Sequence, residues 1–204
     1  MKAVFITGIG TEVGKTVTSA VLVEKFKIDY WKPIQSGDLD NSDTDKVKRL
    51  VSNNESKFHS EAYRLSQPFS PHKSAALDGI EISLSQITIP PTKNDLLIEG
   101  AGGLMVPLND QHYIIDLIQR LETEVILVIR HYLGSINHTL LSIDALKSRD
   151  ISLRGIIFNG ASDEYSEKAI LNYSGARVLG RIPDMEVLTP ETITAAGRGI
   201  SAIF

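Results

Sequence analysis

"AVFITGIGTEVGKTV", residues 3–17, decides the fold. Ala3 to Thr7 form a short apolar, β-branched run that reads as a buried strand, and "KTVTSAVLVEKF" (15–26) reads as a helix. Between them, glycines 8, 10 and 14 let backbone N–H groups turn inward around an anion, and the helix start adds its dipole. Lys15 can reach the outer phosphates of a nucleotide, and the Thr16 hydroxyl can bind Mg²⁺. The common phosphate loop places four residues between its first Gly and Gly-Lys-[Ser/Thr]. Here Ile9 to Val13 make five, so the loop is lengthened without losing a functional group. The stretch predicts a nucleotide loop with Gly10, Thr11, Glu12, Val13, Gly14, Lys15, Thr16 and Val17 around the phosphates.

Working outward, further apolar runs recur at 95–100, 124–130, 153–160 and 176–183, with a weaker one, "IDYWKPI", at 28–34. Their continuous rather than alternating hydrophobicity predicts strands buried on both faces of a parallel sheet. Helical patterns fall at 43–52, 113–121, 136–148 and 165–173. This alternation predicts a doubly wound, mainly parallel α/β sheet with helices on both faces, as one domain over 1–204. Residues 52–91 are less regular, and we read them as an excursion beside the sheet with a helix near 73–78.

The 204 residues suffice for one domain with a proper core. A net charge of -4 argues against a nucleic-acid surface, and the absence of cysteine excludes disulfides and thiol chemistry. The apolar stretch near the N-terminus is too short for a signal peptide or a membrane span, which predicts a soluble cytoplasmic protein with no membrane partner. "TKND" (92–95) imitates a guanine-reading motif. It precedes a strand, however, so it belongs at the sheet edge opposite the phosphate loop, because ligands in open α/β sheets bind beyond the carboxyl ends of strands.

"YWKPIQSG" (30–37), "NSDTD" (41–45), "EGAGGLMVPL" (99–108) and "LGSINH" (133–138) follow "GTEVGKT" in order. Together these segments resemble the dethiobiotin synthetase family, over Phe5 to about Pro183, and the lengthened loop is itself a family feature. The resemblance implies a P-loop NTPase-like fold and an enzyme that joins 7,8-diaminononanoate and CO₂ at the expense of Mg-ATP. The amine takes up CO₂ as a carbamate, the carbamate attacks the γ-phosphate, and the second amine closes the ring and expels phosphate. The family is a homodimer in which each site is completed by the partner chain.

On that resemblance Lys15, Lys32 and Thr11 serve the phosphates and the carbamate, and Lys32, Ser36 and Gly102 meet the substrate. Thr16, Asp43 and Glu99 hold Mg²⁺, a hard cation that prefers oxygen ligands. Glu99 is expected to end a buried strand, where a carboxylate needs a metal or partner. Asp43 can also be read as a helix N-cap, and Asp45 ranks below it as a ligand. Asn159 and Pro183 border the base. Leu133, Gly134, Ser135, Ile136 and Asn137 receive the substrate carboxylate at a helix start across the dimer interface. Tyr132 stands where a basic residue is expected, with Arg130 as the nearby substitute. Two other readings remain: another P-loop carboxamide-forming ligase, and an ATP switch of the partitioning type. Such switches carry an additional lysine early in the loop, and "IGTEV" has none.

Overall fold

The computed structural model describes residues 1–204. Seven strands form one fully parallel sheet: β1 (Ala3–Gly8), β2 (Asp29–Trp31), β4 (Phe58–His59), β6 (Leu96–Gly103), β7 (Glu124–Arg130), β8 (Leu153–Asn159) and β9 (Val178–Ile182). Their spatial order is β4-β2-β6-β1-β7-β8-β9, with every neighbouring pair parallel. The chain first builds outward from β1 to β2 and β4, returns to fill β6, and then crosses to β7 on the other side. Strand order therefore reverses at β1, the place where an open sheet leaves a crevice at its carboxyl edge. The lengthened glycine loop leaves β1 into that crevice.

Successive residues of β1 face opposite ways. Val4 and Ile6 enter one core with residues of helices α1 (Lys15–Phe26), α6 (Glu164–Ser174) and α7 (Pro190–Gly197). Phe5 enters a second core with α3 (Pro71–Leu77) and α4 (Ile114–Arg120). The sheet is thus covered on both faces, as its unbroken hydrophobic strands require. Helices α2 (Asp43–Leu50) and α5 (Ser135–Ser148) complete the set, and the anticipated helices lie within about two residues of the observed ends.

Three readings are corrected. The run at 28–34 is two strands, because Pro33 cannot donate to a ladder: β2 stops at Trp31 and β3 (Ile34–Ser36) starts a separate sheet with β5 (Tyr63–Leu65). That small sheet and β4 give the region 52–91 strands that its composition did not reveal. The tail beyond Pro183 forms α7, entered by the Thr189 cap and Pro190. Glu99 does not end a strand, since β6 continues extended to Gly103.

At the opposite edge of the sheet, "TKND" has a structural task. Asp29, fully buried at the start of β2, accepts hydrogen bonds from Thr92 Oγ1 (2.7 Å), Asn94 Nδ2 (3.1 Å) and the Lys57 backbone N–H (3.0 Å). His59 Nε2 lies 2.9 Å from the same carboxylate. One carboxylate thereby joins β2, β4 and the turn into β6. Replacing it with alanine takes the acceptor from several partly buried donors, each bond contributing about 0.5–1.5 kcal/mol. Asp29→Ala should therefore lower stability in urea by roughly 3 kcal/mol, and ATP affinity should stay unchanged because the nucleotide loop is at the other edge.

Candidate active site

The carboxyl edges of β1, β2, β3 and β6 enclose a cavity of about 580 Å³. Thr11, Glu12, Gly14, Lys15, Thr16 and Val17 line it from the loop, and Lys32, Ser36, Asp43, Glu99 and Gly102 line it from the facing elements. Eleven of the residues singled out in the sequence thus meet in one place. Val13 turns its side chain into the core, and the Val13 carbonyl accepts from Asn159 Nδ2 at 2.9 Å. Gly14 sits at φ +92, and a Cβ there would overlap the Asn159 amide. Asn159, at the end of β8, therefore braces the phosphate loop. Ile182 pairs with it in register, so Pro183 leaves the sheet at the same edge.

Glu99 organises the centre. It is buried in β6, and its Oε2 accepts from Ser19 Oγ at 2.6 Å and Tyr30 OH at 3.0 Å. Its Oε1 accepts from Thr16 Oγ1 at 3.0 Å and from Lys32 Nζ at 3.3 Å. Lys32 also lies 2.7 Å from Asp43 Oδ2, so one ammonium bridges two carboxylates. Burial alone would strip the charge from Lys32, but Glu99 and Asp43 outweigh it and hold its pKa above the ordinary lysine value. Burial of Asp43 is outweighed in the same way by Lys32, which keeps that carboxylate ionised. Burial, then the charge of Glu99, push the Tyr30 hydroxyl well above its usual range, so it acts as a donor.

Lys15 is different. Its Nζ folds onto the Gly10 carbonyl at 3.0 Å, and burial lowers its pKa to about 8, with Glu99 opposing that fall and Lys32 adding to it. Phosphate oxygens are the partner this ammonium lacks. Ser36 likewise keeps a buried Oγ with no hydrogen-bond partner, at the wall of the same cavity.

The donor set suits a small hard cation. Thr16 Oγ1 and Glu99 Oε1 are 3.0 Å apart, close to the spacing of about 2.9 Å between adjacent ligands of an octahedron with Mg²⁺–O bonds near 2.0–2.1 Å. No cluster of three His, Asp or Glu is present, and Mg²⁺ needs none where phosphates and water fill its shell. Asp43 is free for this role because Ser42 and Asp45 cap α2 between themselves in a reciprocal pair.

Other residues stay apart. Leu133 to Asn137 line a separate hollow with Tyr132 and Asp163 at the entry to α5. Gly134 caps that helix in a left-handed conformation with no side-chain bond, leaving the N-terminal donors to solvent or a ligand. The Arg130 guanidinium pairs with Asp184 at 2.8 Å in an exposed ion pair. Tyr132 instead meets His138 Nδ1 at 2.8 Å. Sequence reasoning did not single out Ser19 or Tyr30. Their spacing was the available signal: Ser19 is one helical turn beyond Thr16, and Tyr30 shares the face of β2 with Lys32.

Comparison with known proteins separates the two nucleotide readings. The AAA domain family matches residues 2–192. The ATP-dependent dethiobiotin synthetase BioD of Christiangramia forsetii is 59% identical over 183 residues, covering 90% of this chain and 88% of its own. The enzyme of the same name from Cytophaga hutchinsonii is 48% identical, covering 96% and 95%. The chain belongs to the ATP-dependent dethiobiotin synthetase family.

Solved structures add the fold alone. The cell division ATPase MinD of Pyrococcus furiosus aligns with a TM-score of 0.63 at 13% identity, covering 97% of this chain and 98% of that one. A ParA family ATPase from Chlorobium tepidum aligns at 0.58 with 12% identity, covering 97% and 98%. This chain thus shares its architecture with these ATPases. In its own loop, residues 9–13 contain no lysine.

The two buried lysines should separate by measurement. Lys15→Ala removes a charge-assisted bond to the nucleotide and should raise the ATP dissociation constant by about 10–100-fold. Lys32→Ala leaves Glu99 its three hydroxyl donors, so ATP should bind within roughly threefold of wild type while turnover collapses, the signature of a lost transition-state contact. Equal loss of ATP binding in both variants, by calorimetry, would refute the division of labour.

Proposed function

We propose that this enzyme closes the ureido ring of dethiobiotin from 7,8-diaminononanoate and CO₂, using ATP with Mg²⁺ in the cytoplasm. The observation that carries the reading is Lys32 held between Glu99 and Asp43 at the wall facing the phosphate loop. A carbamate attacking a γ-phosphate brings two anions together, and a buried, permanently charged ammonium is the group that lowers the cost. Lys32 screens the attacking carbamate. Lys15 swings from the Gly10 carbonyl to the phosphates, and Thr11 adds a hydroxyl at the γ-phosphate. Ser36 donates its free hydroxyl to the carbamate or amine, and the Gly102 backbone lies alongside. Thr16, Glu99 and Asp43 would hold Mg²⁺, which when bound supplies positive charge to the phosphate oxygens. Asn159 and Pro183 border the adenine.

Ring closure requires ATP turnover to depend on both diamine and bicarbonate, whereas an ATP switch ignores both. Phosphate release measured with each omitted in turn is the decisive assay. Glu99→Gln should reduce the Mg²⁺-dependent rate by roughly a hundredfold or more, with the fold intact by circular dichroism.

The same proposal includes a homodimer with shared sites, and two features of the single chain support it. The carboxylate receiver at Leu133–Asn137 lies outside the cavity, and Leu133 is fully exposed. Met105 and Leu141 are also more than half exposed, beside a groove that runs from Gly10 and Thr11 to α5. In a two-fold dimer each site would take Lys15 from one chain and Asn137 from the other. Mixing inactive Lys15→Ala with inactive Asn137→Ala after reversible dissociation makes about half the dimers mixed, each with one intact site. Activity should recover to about a quarter of wild type. Full exchange of differently tagged chains without recovery would place the site within one chain.

A further inference from the structure

Across the cavity from the phosphate loop stands a wall that neither that loop nor the metal set accounts for. Pro68, Phe69, Ser70 and Pro71 line it. The segment is pinned from behind: Ser74, fully buried in α3, donates to the Gln67 carbonyl at 2.7 Å and accepts from the Phe69 N–H at 3.3 Å. It is also pressed from below, since Gly37 sits at φ +69 and a Cβ there would lie 2.6 Å from Pro68 Cα. The backbone of this wall is fixed, and Phe69 is its tip.

Phe69 lines the cavity and is 45% exposed. Lys73 Nζ rests 3.7 Å from the ring centroid, and Lys73 does not line the cavity, so the ammonium holds the ring from outside. One helical turn separates Lys73 from the segment it clips, which makes the arrangement local and independent of the nucleotide loop.

We propose that Phe69, clipped by Lys73, is a positioning residue that keeps water from the reactive anhydride. The proposal rests on the ring-closing reaction above. In that reaction the carbamate oxygen bonds to phosphorus, and the resulting R–NH–CO–O–PO₃²⁻ must wait for the second amine. Water competes for it. Hydrolysis breaks the anhydride, returns R–NH–COO⁻ and inorganic phosphate, and releases one proton; the carbamate then loses CO₂ to give back the diamine. Nothing is oxidised or reduced, and one ATP is spent without product. An apolar ring at the open side of a polar cavity is the kind of group that suppresses this loss.

The test compares phosphate released with dethiobiotin formed, in wild type, Phe69→Ala, Phe69→Leu and Lys73→Met, each checked for an unchanged thermal midpoint. Wild type should release about one phosphate per product. Phe69→Ala should release at least threefold more, and the excess should vanish when diamine or bicarbonate is omitted, because only the anhydride leaks. Phe69→Leu should restore most of the coupling. Lys73→Met should show a partial leak, in line with the factor of about two to five that an exposed cation–π contact contributes. Three outcomes overturn the proposal: coupling that stays at one phosphate per product in Phe69→Ala, a higher KM for the diamine with coupling intact, or excess phosphate that persists without diamine. If wild type itself needs neither diamine nor bicarbonate, the ring-closing reading fails first and takes this one with it.

Discussion

Everything at this site hangs on one buried carboxylate. A carboxyl group buried inside β6 needs hydrogen-bond donors, and Glu99 has four: Thr16 and Ser19 from α1, and Tyr30 and Lys32 from β2 and its end. Those bonds fix the first helix and the second strand to the sheet at the point where strand order reverses. Through Lys32 the network reaches Asp43 and so fixes the start of α2. Fold and site are therefore not separable here. The same side chain that positions three elements offers an oxygen toward a cation and orients the ammonium that faces the attacking group.

The charges of the cavity are unequally satisfied by protein groups, and the inequality has a direction. Lys32 has two carboxylates and keeps its proton. Lys15, largely buried, has only a carbonyl for a close partner, and its pKa falls to about 8. Of the two cations, one is committed to the protein and the other waits for a ligand. A phosphate that displaces the Gly10 carbonyl gives Lys15 the anion it lacks and restores its pKa, so binding is strengthened by a tension already present in the free protein. Lys32 cannot move so readily, which suits a group that must stay in place while the carbamate and phosphate approach it.

How much of this was legible in the sequence depended on whether a residue's task was local. The loop, its helix and the buried strands announced themselves because glycine placement and continuous hydrophobicity are local signals. Asp43, Glu99 and Lys32 were found through the family resemblance of their segments, and the structure brings both carboxylates to the Lys32 ammonium. The break at Pro33, the short strands β4 and β5, and the run of β6 past Glu99 were missed, since two- and three-residue strands carry too little pattern to read. The ion pair of Arg130 with Asp184 was also out of reach, since the two stand 54 positions apart in the chain. Ser19 and Tyr30 carried a usable signal in their spacing, but only once Glu99 was known to point between them.

The likeness to MinD and ParA shows where the chemistry must reside. These ATPases align over nearly the whole chain at TM-scores of 0.63 and 0.58, so the parallel sheet and the loop after β1 cannot be what makes a ligase. A phosphate loop supplies one half of a reaction, the activated phosphate. The other half needs a second wall that holds an acceptor against that phosphate and keeps water out. In this chain the β3–β5 sheet and the 68–71 segment leaning on Gly37, together with Lys32 at the end of β2, line the cavity beside the loop, and on the proposed reaction they are that wall. These are the parts of the sequence with the weakest periodic pattern. They are also the parts where backbone conformation is forced by particular residues, Pro33 ending a strand and Gly37 admitting Pro68. Nucleotide binding is thus carried by the regular elements of the fold, and the acceptor side by the irregular ones.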